Sequence, residues 1–130
     1  MAKYLLLIIE DESPYADGGD ADFGSIMEAH QSFMREIEEL GATYVSGEAL
    51  LPIATATYLR GTRTDAVATV DNPAPDLKEV LGGFYLIEAP DDEVARAVAA
   101  RCPAPAGYVE MRPIWDVAAA AAEYAGDSGG

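Results

Sequence analysis

The chain has a single cysteine, Cys102, so no disulfide can form within it, and a reducing setting such as the cytoplasm is expected. It has a single histidine, His30, and any imidazole chemistry near neutral pH falls on that residue. Basic residues number only 8 against 23 acidic ones, a net charge of -15 that repels phosphate backbones and anionic bilayers. Neither nucleic acid nor membrane is an expected partner. The apolar run at residues 4–9 is far short of the ~20 residues that span a bilayer, and no small-residue cleavage site follows a basic start. Zinc-ligand spacings, a P-loop, a dinucleotide fingerprint and a Gly-x-Ser-x-Gly elbow are also missing, so no metal or cofactor is expected.

What is present is the balance of a globular chain: half of the residues are hydrophobic and 24% charged, and 130 residues suffice for one domain with a real core. The run at residues 4–9 predicts a central strand covered on both faces. Residues 10–22 carry six acidic side chains with Pro14, Gly18 and Gly19 and predict a loop. Asp17, Asp20 and Asp22 lie close together there, but without the spacing or the bidentate glutamate of an EF-hand, so the loop is expected to be solvated rather than metal-bound. Ser25 with Glu28 fits a capping box, and Phe23, Ile26, Met27, Phe33, Met34, Ile37 and Leu40 recur at helical spacing up to a stop at Gly41.

Beyond that helix, residues 42–45 read as a strand, and residues 55–60 and 66–70 as a hairpin around Gly61. A further strand is expected at 83–88. Pro90 and Asp91 open a second helix with Val94, Ala97 and Val98 as its apolar positions, Pro103 and Pro105 close it, and a last strand covers 108–114. The domain is placed at residues 1–115, and the alanine- and glycine-rich residues 116–130 read as a helical, partly disordered extension. This order predicts an α+β fold of split β-α-β type, two helices on one face of an antiparallel sheet. The other sheet face would be bare, which predicts pairing with a second copy.

Residues 70–88 contain Asp71-Asn72-Pro73-Ala74, the pair Lys78-Glu79 and the strand start Gly82-Gly83-Phe84-Tyr85. This segment resembles the signature of YCII-related proteins, in the branch named after an Asp-Gly-Pro-Phe tetrapeptide, with Asn72 and Ala74 where that branch has glycine and phenylalanine. His30, Gly41 and Gly47 are also similar to the family's histidine and its two following glycines. The resemblance implies a ferredoxin-like fold assembled as a dimeric α/β barrel, a homodimer with no cofactor, and a histidine that pairs with an aspartate as an acid-base dyad. It also implies a lyase-like or isomerase-like activity on a small organic molecule. The alternative is a non-catalytic dimeric module for a small ligand or a protein, linked to sigma-factor regulation.

His30 lies seven residues after Phe23 and three before Phe33, on the apolar stripe of the first helix and facing the sheet. It is either a satisfied core residue or the catalyst, and a cleft with a carboxylate at hand would favour the catalyst, whereas a lid of Phe33 and Met34 would favour the core residue. No aspartate follows Gly47 until Asp65, so Glu48 is the nearest carboxylate, and Asp71, at the first signature position, is the other candidate. Asp71 can instead be structural: Asp before Asn-Pro is an ordinary turn former. Tyr44, Tyr58 and Tyr85 are candidate pocket residues, and Lys78 is a candidate for orienting an anionic group. Cys102, at a helix carboxyl end, is a poor nucleophile.

Overall fold

The apolar run near the amino terminus becomes the spine of a sheet. In the computed structural model, which describes residues 1–12, 23–71 and 79–128, it forms β1 (Ala2–Glu10). The elements that follow are α1 (Phe23–Glu39), β2 (Thr43–Ala49), a 3-10 turn (Ile53–Thr55), β3 (Thr57–Arg60), β4 (Ala68–Asp71), β5 (Val80–Ala89), α2 (Asp92–Ala99), β6 (Gly107–Pro113) and α3 (Val117–Ser128). Asp17, Asp20 and Asp22 of the acidic loop, and residues 72–78 of the signature, lie outside the described residues.

Four strands form one sheet in the order β2-β5-β1-β6, each antiparallel to its neighbour. β1 and β2 are therefore parallel across β5 and joined by α1, and β5 and β6 are parallel across β1 and joined by α2. This is the split β-α-β arrangement expected from the element order. The sheet is open, with β2 and β6 as edges, so the chain by itself forms no closed barrel.

Alternation along β1 buries Tyr4, Leu6 and Ile8, which meet Tyr85, Ile87 and Ala89 of β5 in one core. Phe33 and Ile37 of α1 and Ala95 and Val98 of α2 join that core, so both helices cover one face. The expectation that β1 is covered on both sides is not met. Leu5, Leu7 and Ile9 remain half-exposed on the other face, with Leu86 and Phe84 paired across to Leu5 and Leu7.

The helix ends follow from local chemistry. α1 begins at Phe23, which puts Ser25 inside the first turn and removes it from the expected cap position. Its far end is a Schellman motif: the Ala42 N–H donates to the Ile37 carbonyl at 3.1 Å and the Gly41 N–H to Glu38 at 3.0 Å, with Gly41 at φ +96°. Asp91 caps α2 by accepting from the Val94 N–H at 2.9 Å. In α2 it is Ala95, rather than the expected Ala97, that is buried with Val98, because the covered stripe starts one turn after Asp91. Tyr4, at the far end of the core, donates to Asp92 at 2.5 Å. Arg101 forms a two-pronged pair with Glu36, at 2.7 and 3.1 Å, that ties the turn after α2 to α1.

The predicted hairpin is present as a separate two-stranded sheet, β3 against β4, running from Thr57 opposite Asp71 to Arg60 opposite Ala68. The predicted extension is helical: Asp116 accepts from the Ala119 N–H at 2.9 Å and starts α3. Among the described residues, no helix is long and apolar enough to cross a membrane.

Candidate functional site

His30 and Tyr85 are 55 positions apart in sequence, and the fold puts them in contact. His30 is half-buried on the sheet side of α1, and its Nδ1 lies 2.6 Å from the Tyr85 hydroxyl oxygen, with the two rings stacked at 5.8 Å. Phe33, one turn on from His30, packs its ring edge against Tyr85 at 4.9 Å, and Tyr44 of β2 does the same at 6.2 Å. The tyrosine is thus held on two sides while its hydroxyl is aimed at the imidazole.

A bulge decides which residues share this face. The pairing of β2 with β5 skips one position between Tyr44 and Ser46, so Tyr44 opposes Ile87 while Gly47, not Ser46, opposes Tyr85. A β-carbon at Gly47 would lie 2.9 Å from the Tyr85 ring and 2.9 Å from the Phe84 carbonyl oxygen. Gly47 is the floor under that ring. We expect Gly47→Ala to cost about 1–3 kcal/mol and to separate Tyr85 from His30, read as a changed titration of the imidazole by NMR and a lowered denaturation midpoint.

The same bulge puts Glu48 opposite Phe84, on the face away from His30, where it is exposed. Glu48 is therefore not the carboxylate beside the imidazole. Nor is Asp71, which lies on β4 and accepts from the Thr57 hydroxyl at 3.3 Å. Among the described residues, the acid whose charge acts on His30 is Glu10, at the end of β1. Glu10 continues the inward positions Tyr4, Leu6 and Ile8, stands between Val80 and Gly107 in the sheet, and accepts from the Ala106 N–H at 3.2 Å. That alternation was the signal in the sequence that could have identified it. Tyr85 is brought to His30, and Tyr44 to Tyr85; Tyr58 lies on the separate hairpin, and Lys78 is outside the described residues.

The electrostatics follow from burial. Desolvation lowers the His30 pKa from its ordinary value, and the Glu10 charge opposes that shift. Burial pushes the Tyr85 hydroxyl up to about 12, with further contributions from Cys102 and Tyr44. Cys102 is buried, and desolvation together with Glu10 pushes its thiol up to about 12, which makes it the poor nucleophile that its position suggests.

His30 is not sealed by Phe33 and Met34: Phe33 packs on Tyr85, and Met34 is exposed. Two open grooves of about 450 and 440 Å³ flank the helices, one between α2 and β6, the other between α1 and the turn after α2, and His30 lines neither. Among the described residues, no group of histidine, cysteine and acidic side chains is arranged to hold a metal ion.

With this geometry in place, comparison with family models matches residues 2–118 to the YCII-related domain. Comparison with curated proteins gives no match.

Proposed function

The chain belongs to the YCII-related family, and from that premise we propose that it is a cofactor-free enzyme in which His30 and Tyr85 move a proton on a small organic molecule. The contact at 2.6 Å carries this reading. Burial disfavours imidazolium and phenolate alike, so at neutral pH both groups are neutral and the imidazole holds one proton. When Tyr85 donates to Nδ1, that proton sits on Nε2, which can then act as an acid. When Nδ1–H donates to the Tyr85 oxygen instead, Nε2 is bare and can act as a base, while the hydroxyl proton is free to bond a substrate oxygen.

Uptake of a substrate proton at Nε2 makes an imidazolium whose Nδ1–H is held by Tyr85 and whose charge is favoured by Glu10. Return of that proton to another substrate atom completes an isomerisation, and its delivery to a leaving group completes an elimination. The ring edges of Tyr44 and Tyr85 suit an unsaturated or aromatic substrate.

An NMR titration of the single imidazole tests the reading. We expect a pKa below ~6.5 in the native chain and a further fall in Glu10→Gln. Tyr85→Phe should alter the titration with little loss of fold, and small phenols or carbonyl compounds should shift the His30 signals. An imidazole that titrates as in a free peptide and ignores every such ligand would sink the proposal. The same pKa sets a stability trend. Because the folded value is depressed, the unfolded chain binds the extra proton first, so stability is flat above ~6.5 and falls as pH drops from there toward the folded value. His30→Gln should remove that part of the pH dependence.

The half-exposed apolar face favours a companion reading, a homodimer. Leu5, Leu7, Ile9, Phe84 and Leu86 form its centre, and Glu48, Glu110 and Arg112 lie along its rim. A sheet face of this kind is commonly covered by its twofold copy. Sedimentation of the native chain as a dimer, and of Leu7→Lys as a monomer, is the expected result.

A further inference from the structure

α3 has no part in the proposed chemistry and little cover in its own chain. Of its residues 117–124 only Ala120 is half-buried, whereas Val117 is 58% exposed and Tyr124 76%, as is Trp115 just ahead of the helix. Val117, Ala121 and Tyr124 recur at helical spacing and share one face. A helix of 12 residues is marginal alone in water, so this one needs a surface to lie on. The family match ends at residue 118, and α3 lies almost wholly beyond it.

The origin of the helix points to that surface. Arg112 stands opposite Leu5, so strand alternation puts Ile114 on the same bare sheet face as Leu5 and Leu7, and the Ile114 N–H donates to the Lys3 carbonyl at 2.9 Å. Asp116 caps α3, so Trp115 alone joins the rim of that face to the helix. Area points the same way. Four strands, with seven residues in β6, present a face of roughly 19 by 23 Å, about half of the ~800 Å² per partner that a stable, specific pair buries. A 12-residue helix covers roughly 18 by 10 Å, and in a twofold pair each copy gives one such footprint and receives another, which closes most of the gap. A bilayer does not suit α3, which carries Glu123 and no basic residue in a chain of net charge -15.

Resting on the homodimer described above, we propose that α3 of each copy lies on the second copy, with Trp115, Val117 and Tyr124 extending the contact that the sheet faces begin. The interface then has a helical part formed by residues beyond the family match, and α3 gains the cover that it lacks within its own chain.

Trp115 is the chain's only tryptophan, so its fluorescence reads this contact without a label. The native dimer should show blue-shifted emission and acrylamide quenching several-fold weaker than the Leu7→Lys monomer. Dilution of the native chain should shift the emission at the concentration where sedimentation shows the dimer dissociating, a check that needs no variant. Tyr124→Ala should weaken the dimer about tenfold and leave the titration of His30 unchanged. A sedimenting dimer whose Trp115 is as open to quencher as in Leu7→Lys would overturn the docking of α3 while leaving the dimer standing; a monomer at every concentration would overturn both. Equal shielding of Trp115 in the Leu7→Lys monomer would put α3 on its own chain and overturn the proposal, as would unchanged affinity in Tyr124→Ala.

Discussion

Gly107→Ala is expected to lower the folding stability by about 3 kcal/mol or more, a large part of the 5–15 kcal/mol that holds a domain of this kind together. Gly107 begins β6 opposite Glu10, and a β-carbon there would lie 1.9 Å from the Ile9 carbonyl oxygen and 2.8 Å from the Glu10 α-carbon. Both obstacles are backbone, so no side chain can rotate away to make room. The start of β6 would have to leave β1, breaking the 3.1 Å hydrogen bond from the Asp11 N–H to Ala106 and the link from Glu10 to the Ala106 N–H. Urea denaturation reads the loss. The His30 titration provides a second measure, because a displaced Glu10 no longer supports the imidazolium and the pKa should fall further. A variant as stable as the parent would mean that β6 does not approach β1 this closely.

Phe33→Ala should have an effect of similar size, about 3–5 kcal/mol for deletion of a buried aromatic ring. Phe33 is 1% exposed, sits in the core with Leu6 and Ile37, and abuts the Tyr85 ring at 4.9 Å. Its removal opens a cavity directly beside the His30–Tyr85 pair. The sign of the pKa change then discriminates between mechanisms. Because desolvation is the main cause of the depressed His30 pKa, water entering the cavity should bring it back up toward ~6.5. A large stability loss with an unmoved His30 pKa would show that Phe33 supports the core without shaping the site.

Much of the scaffold was legible from pattern alone. The helical spacing identified α1, and Phe33 and Ile37 its buried face, although Phe23, Met27, Met34 and Leu40 of the same expected stripe are exposed; Gly41 marked its end, and Asp91 marked the start of α2. At the strand start Gly82-Gly83, Gly82 is the residue skipped where β5 passes Ile8 and Ile9 of β1. Phe84 and Tyr85 do point to opposite faces, as a strand requires. The cap was misplaced at Ser25 because a Ser-x-x-Glu pattern occurs inside helices as readily as before them.

The carboxylate was harder to place. Counting by twos from Tyr44 puts Glu48 on the inner face, which is the natural inference for a regular strand. The bulge at Val45 adds one residue, reverses the count, and sends Glu48 outside while Gly47 takes the place beneath Tyr85. Nothing in the local composition marks such a bulge, because it is set by how the edge strand matches β5. Glu10 was readable as an inward residue by the same counting along β1, but its meeting with His30 depends on α1 folding back across the sheet.

By itself, then, the sequence determined the element order, the family, the face on which His30 lies and the excess of negative charge, because each follows from local periodicity, turn chemistry or composition. Only the tertiary structure decided that His30 meets Tyr85, that the charge of Glu10 reaches it, and that Glu48 lies on the other side of the sheet. Those facts depend on register between strands and on contacts spanning up to 55 positions, and the free energy that selects them comes from packing the whole core at once.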